Sequence, residues 1–391
     1  MTRVTPLAQI VDPRIVAVLP EFVALRRDLH RHPELAFRED RTSTIVADRL
    51  TAYGFEVARG IGGTGVVGTL RRGNGPRAIG IRADMDAMPI PEATGLPYAS
   101  AHDGAMHACG HDGHTTILLA AARYLAEHAR FRGTVHLIFQ PAEEIGAGAK
   151  TMLAGGLLDR FPVDAIFGLH NWPGIPAGHF GFVDGPAMAS VDLAIVRVVG
   201  KGGHGAAPHE TVDPVLAAAH IVTALQSVVS RNVDPLEMGV VTVGSIHGGT
   251  ASNIIPDTVD LAATIRSFRP EIRTLLGERV PAIIRAQAES FGARAEVTYR
   301  LGLPPVVNHR AETGLLREVA ADTFGPDWVV SFQPRTASED FSYFLAERPG
   351  SFLFVGNGDS AALHNPSYDF NDDIIGPAAT LWGRLVERVL I

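Results

Sequence analysis

The chain has 391 residues, 46% hydrophobic and 19% charged, with a formal net charge of -8 and one cysteine. That length favours two compact units over one, and the acidic balance without any basic run excludes a nucleic-acid partner, which needs concentrated Lys and Arg. A single cysteine excludes an internal disulfide, and no stretch approaches 18 consecutive apolar residues, which excludes a membrane span.

The chain opens MTRVTPLAQIVDPRIVAVLP, without the charged start, apolar core and cleavage site of a signal peptide, so a cytoplasmic protein is expected. From residue 60 to 185 short apolar runs alternate with helix-like segments. VVGTL (66–70), RAIGIRA (77–83), GTVHLIF (133–139) and DAIFGLH (164–170) read as strands, and 114–129 carries Ile117, Leu118, Ala121, Tyr124 and Leu125 at helical spacing. This alternation predicts βαβ units around a largely parallel sheet with helices on both faces.

After GPAMAS (185–190) the texture changes. A strand at 191–200, a helix at 212–230 with Pro214 in its first turn, two strands in MGVVTVGSIHGG and DTVDLAATIRSF, a helix over 271–292 bent at Pro281, and a strand at 295–302 follow. A β-α-β-β-α-β order of this size is the split ferredoxin-like motif. Residues 303–391 return to the first texture, with helices near 311–324 and 373–390 and the strand SFLFVG (351–356). The expected architecture is an α/β domain, 1–187 with 303–391, interrupted by a smaller ferredoxin-like α+β domain at 188–302.

The chemistry gathers at the strand ends. Groups beyond the carboxyl ends of strands in an open α/β sheet converge on one crevice. Asp84, Asp86, Glu143, Glu144 and His170 stand there, and the loop after SFLFVG offers His364. The solitary Cys109 sits two residues before His111, at a helix start, a spacing that suits a transition metal; by itself it reads equally as a small buried hydrophobe. So many carboxylates, with a Cys-x-His pair and two more histidines, would repel one another unless a cation neutralised them. Adjacent Glu143 and Glu144 cannot point the same way, so one can hold metal while the other serves as base to its water; an exposed acidic turn is the alternative.

An arginine fork is the apt receptor for any carboxylate-bearing ligand. Arg266 in TIRSF is the first candidate and Arg335 in QPRTASEDF the second. His204 stands in the glycine-rich GKGGHGAAPH, where small neighbours allow close approach to a ligand or simply make a tight turn. His30 and His32, where a helix ends at Pro33, are read as structural.

RRDLHRHPEL (26–35), IRADMDAMPI (81–90), MHACGHDGHTT (106–116), FQPAEE (139–144), GLHNWP (168–173), GKGGHGAAPH (200–209), SNIIPD (252–257), TIRSF (264–268), SEDFSYF (338–344) and LHNPSYDF (363–370) occur in one order over nearly the whole chain. Together they resemble the N-acyl-amino-acid amidohydrolases, the hippurate hydrolase and indole-acetyl-amino-acid hydrolase type within the aminoacylase and carboxypeptidase G metallohydrolases. The resemblance implies two divalent transition metals (Zn, Mn, Co or Ni) on Cys109, His111, Glu144, His170 and His364, with Glu143 as general base and Asp84 supporting the site. Zinc-only members carry His-x-Asp where this chain has Arg82-Ala-Asp84, which places it in the amidohydrolase branch.

It further implies that His204 reaches the oxyanion from the inserted domain of a partner subunit, that Asn253 assists, and that the chain forms a homodimer through that domain. The implied reaction is cleavage of an N-acetyl, N-benzoyl or indole-acetyl amino acid to a carboxylate and a free amino acid. A dipeptidase or aminopeptidase on the same fold, and a non-catalytic ligand-binding relative, are the alternatives.

Overall fold

The computed structural model describes residues 7–391, and the reading of the chain's opening rests partly on residues 1–6, which lie outside the described residues. The chain divides into two compact units, the first comprising the residues up to Gly185 with Val307–Gln333 and Asp340–Ile391, the second Pro186–Val306 with Pro334–Glu339.

The first unit is built on an eight-stranded sheet. Its strands are β1 (Glu56–Ile61), β2 (Gly65–Arg72), β3 (Ala78–Asp84), β4 (Gly133–Gln140), β5 (Ala165–Pro173), β6 (Phe180–Phe182), β7 (Val329–Ser331) and β8 (Gly350–Gly358), in the order β1-β2-β4-β3-β5-β8-β6-β7. The central β4, β3, β5 and β8 are mutually parallel, while β1, β2 and β6 pair antiparallel to their inner neighbours. All eight residues of β4 are buried. A strand covered on both faces is apolar over most of its length, which is why these runs read without alternation. The short β6 and β7, and the partly exposed β1, carry too little apolar periodicity to be read from sequence.

The helices of this unit include α1 (Leu19–Arg31), α2 (Asp40–Ala52), α3 (His111–Glu127), α4 (Arg310–Phe324) and α5 (Ile375–Val389). Helix α3 is enclosed: Ile117, Leu118, Leu119, Tyr124 and Leu125 are at most 2% exposed, each such apolar side chain contributing about 1.5–3 kcal/mol. It starts at His111, three residues before the periodic apolar face suggested, because Gly110 takes a left-handed φ of 90° and turns the chain into the helix.

In the second unit, strands Asp192–Val199, Gly239–Gly248, Thr258–Ser267 and Arg294–Leu301 alternate with helices Pro214–Asn232 and Pro270–Ser290 in β-α-β-β-α-β order. The sheet order is Gly239–Gly248, Thr258–Ser267, Asp192–Val199, Arg294–Leu301, antiparallel throughout. Asp213 caps the first helix by accepting from the backbone N–H of Val215 at 2.8 Å, and the second helix runs on through Pro281. Ala194, Val196 and Val198 point into a core with Ile221, Leu225, Val280 and Ile284.

Residues 334–339 group with this unit rather than continuing the first, as their sequence position suggested. Arg335 N donates to Ala187 O at 2.8 Å and Ala189 N to Arg335 O at 3.1 Å, which ties the segment to the start of the unit. No helix among the described residues is long and apolar enough to cross a membrane.

Candidate metal centre

Because the four central strands run parallel, their carboxyl ends face one way. Asp84 closes β3, Glu143 and Glu144 follow β4, His170 lies in the last half of β5, and His364 follows β8. Cys109 and His111 flank Gly110, whose place a larger residue could not take: a Cβ there would lie 2.5 Å from Asn171 Oδ1 and 2.8 Å from Tyr368 Oη.

Three of the expected ligand positions are deeply buried and meet directly. Cys109 Sγ lies 3.3 Å from His170 Nε2, and the ligand atoms of Cys109, His111 and His170 are all within 4.8 Å of one another. Cys109 also belongs to a second such set with Glu144 and His364, and His111 to one with Glu143 and Glu144. His111 Nε2 stands 3.8 Å from Glu144 Oε1, and both atoms are buried without a hydrogen-bond partner. Two facing orphans of this kind are costly in a native interior. A cation between them removes the cost, since ligand bonds of about 2.0–2.3 Å put neighbouring donors about 3–4 Å apart.

The imidazoles are preset for ligation. His111 Nδ1 donates to Asp86 O at 3.0 Å and His170 Nδ1 donates to Asn171 O at 2.6 Å, so each proton sits on Nδ1 and each Nε2 lone pair faces the site. His364 is half-exposed, with its N donating to Ala108 O at 2.8 Å and Nε2 3.6 Å from Glu144 Oε2. Its left-handed φ of 64° is uncommon for a residue with a side chain and marks a held conformation.

The electrostatics point the same way. Burial, and then the Glu144 carboxylate, push the Cys109 thiol well above its ordinary range. It needs a cation to become a thiolate. Burial pushes Glu144 up to about 7, with Asp86 and Asp84 adding to it against His111. Burial holds His170 neutral, well below the ordinary range, reinforced by His114.

Asp84 is not within the Cys109 sets; its Oδ1 takes a 2.6 Å bond from His114 Nδ1 and its Oδ2 lies 2.7 Å from Arg82 Nη1 and 3.7 Å from His111 Nε2. Burial opposes its ionisation, but His111, Arg82 and His114 hold it well below the usual carboxylate range. Arg82 in turn reaches Gln140 Oε1 at 2.8 Å and Asp340 Oδ1 at 3.1 Å. The roles of His114, Gln140 and Asp340 were not read from the sequence. The signal for His114 was present, since it lies one turn beyond His111 on the same helix face. His107, from the same MHACGHDGHTT stretch, joins none of the sets found among the described residues.

His30 is buried and bonded to Asp112 Oδ2 at 2.8 Å, while His32 bonds the carbonyl of its own helix. The remaining expected site residues lie in the second unit. His204 is exposed in a two-residue strand paired with Ile254–Ile255, and Gly205 N donates to Asn253 O at 2.9 Å, which sets His204 beside Asn253. Arg266 Nη1 donates to Ser338 Oγ at 2.6 Å.

Known proteins resemble this chain along most of its length. A hippurate hydrolase of Campylobacter jejuni is 41% identical, over 97% of this chain and 99% of its own length. An N-acetyl-L-cysteine deacetylase of Bacillus subtilis is also 41% identical, over 95% of this chain and 88% of its own. A solved Bacillus subtilis protein described as a dinuclear metal binding peptidase superposes with a TM-score of 0.84 at 35% identity, covering 96% of this chain and 99% of that one. The pattern of peptidase family M20/M25/M40 spans residues 80–388, from the strand that carries Asp84 to the last helix, and this chain belongs to that family.

Proposed function

We propose that this protein is a metal-dependent amidohydrolase that cleaves N-acyl amino acids to a carboxylate and a free amino acid. The observation that carries the reading is the pair of buried, partnerless atoms His111 Nε2 and Glu144 Oε1 beside Cys109 and His170. The relatives named hippurate hydrolase and N-acetyl-L-cysteine deacetylase support the substrate class.

Cys109, His111, Glu144, His170 and His364 would hold two divalent ions; Cys109 belongs to one ligand set with His111 and His170 and to another with Glu144 and His364. The donors suit zinc, manganese, cobalt or nickel. Bound there, the ions supply Lewis-acid polarisation of the acyl carbonyl and a lowered pKa for water. The Glu143 carboxylate takes the proton from the attacking water and returns it to the departing amine. Asp86 orients His111 through its Nδ1 proton, and Asp84, anchored by Arg82 and His114, supports the site.

We assign the oxyanion contact to His204 with Asn253 assisting, and recognition of the substrate carboxylate to Arg266 and Arg335. Pairing of two copies through the second unit belongs to the same reading, supported by Leu193 and Ile195, 37% and 38% exposed on the sheet face away from the helices. A cytoplasmic location is supported by the lone thiol.

Stripping the protein with chelator and reloading zinc, manganese, cobalt or nickel tests the core of this proposal. Two ions per chain and recovery of N-acyl amino acid hydrolysis are expected; turnover unchanged after complete metal removal would refute it.

A further inference from the structure

The loop that presents Glu143 and Glu144 begins in a conformation its sequence does not favour. Ala142 has φ 52°, in the left-handed region that a residue with a side chain occupies only when its surroundings hold it there. Its carbonyl is tied forward, accepting from Ala147 N at 3.2 Å and Gly148 N at 3.0 Å. Its N–H is tied to a distant part of the chain: Ala142 N donates to Glu39 Oε1 at 2.9 Å.

Glu39 is fully buried and precedes the first residue of α2, the position from which a short Asp, Asn, Ser or Thr side chain ordinarily caps the helix. It does not do so here. Glu34 takes that task, accepting from Arg41 N at 2.9 Å and Thr42 N at 2.8 Å. The Glu39 carboxylate is instead fixed by Phe37 N, which donates to Oε1 at 3.0 Å, and by the Thr64 hydroxyl on Oε2. Burial raises the pKa of Glu39, against the hydrogen bonds from Thr64 and Ala142 N.

We infer that Glu39 is a positioning residue for the reaction: by holding the Ala142 N–H it locks the left-handed turn that aims Glu143 and Glu144 into the metal centre. The inference rests on the roles given above to those two glutamates. Glu39 touches none of the reacting groups and acts through the Ala142 N–H.

The test compares Glu39→Ala, Glu39→Gln, Ala142→Gly and the double variant Glu39→Ala/Ala142→Gly in the metal-loaded full chain. In Glu39→Ala the loop relaxes, and kcat per metal-loaded chain falls about 10- to 100-fold with KM within about threefold, the scale of a misplacement near 1 Å. Glu39→Gln keeps an acceptor for Ala142 N, while Thr64 can accept from its amide, and so retains kcat within about threefold of the parent. Ala142→Gly in the Glu39→Ala background restores a substantial part of the loss, because glycine occupies the left-handed region freely.

A merely structural role for Glu39 would lower melting temperature without lowering kcat per loaded chain, and glycine would not rescue it. Equal kcat in Glu39→Ala and the parent, or no rescue by Ala142→Gly, overturns the inference. Titration of zinc into the stripped protein reads the same loop through Glu144 and needs no substrate. Weakening of about tenfold or more in Glu39→Ala with recovery in the double variant supports the inference even if the amidohydrolase reading fails, and unchanged affinity overturns it. If Glu39→Ala does not fold, Glu39→Asp, which withdraws the acceptor by one methylene, takes its place with the same expectations.

Discussion

Replacing Gly113 by alanine drives a methyl group into the ring of Phe370. A Cβ at that position lies 2.2, 2.4 and 2.4 Å from Cε2, Cδ2 and Cζ, where ordinary contact is 3.4–4 Å. Helix and ring must separate by about 1 Å to relieve it, and Phe370, 1% exposed within the core, has no free volume to enter. Overpacking of this kind costs about 1–3 kcal/mol, which lowers the melting temperature by on the order of 2–10 °C. The functional consequence follows from the two partners. Gly113 lies two residues past His111, and Phe370 ends the segment that carries His364 and Tyr368, whose hydroxyl is hydrogen-bonded to Asn171 beside His170. Moving that segment by 1 Å lowers turnover by about 100-fold. Thermal unfolding, metal per chain and kcat on one preparation test the chain of reasoning, and a second-site Phe370→Leu, which shortens the obstructing ring, recovers part of each. A Gly113→Ala protein with parental melting temperature, metal content and kcat refutes it.

Three further outcomes are expected. Glu143→Gln keeps the shape of the side chain but cannot take a proton, so turnover falls about 10²–10⁴-fold while elemental analysis finds the metal retained; turnover within tenfold of the parent contradicts its role. Arg82→Met leaves Asp84 and Asp340 buried without their cation, at a cost of about 3–5 kcal/mol, read as a large drop in the calorimetric midpoint; an unchanged midpoint means the carboxylates find another partner. His30 is raised to about 9, burial working against protonation but Asp112, followed by Glu92, more than offsetting it. Its folded pKa lies above the unfolded value near 6.5, so its contribution, roughly 3 kcal/mol, is complete below pH 6.5 and lost as pH rises through 9. Urea midpoints of the parent should decline across that window and those of His30→Gln should decline less; parallel curves would place the titration elsewhere.

The central sheet was legible because parallel strands buried on both faces leave uninterrupted apolar runs such as GTVHLIF, and the ferredoxin-like order was legible because its strands are long and its helices amphipathic. Strands β1, β6 and β7 were not, since short or half-exposed strands leave no distinctive pattern. Cys109, His111, Glu144, His170 and His364, which the structure brings near one another, could be gathered from sequence because each stands beside a recognisable strand or helix and within a motif of the family resemblance. Their supports could not: Asp340 and Gln140 reach Arg82 through tertiary packing, and Glu39 reaches Ala142 across 103 residues. The left-handed turn at Ala142 is likewise invisible in an ordinary alanine. Residues 334–339 show the same limit, because a pair of backbone hydrogen bonds to 187 and 189, and no feature of composition, assigns them to the second unit.

The most direct test of the account is amine release from N-acetyl, N-benzoyl and indole-acetyl amino acids, set against dipeptides with a free amino terminus, using protein stripped of metal and reloaded. The account predicts metal-dependent release from at least one N-acyl class and far weaker cleavage of the dipeptides. Preferential cleavage of the free-amine dipeptides would make the protein a peptidase instead, and release that persists without metal would contradict the role given to Cys109, His111, Glu144, His170 and His364.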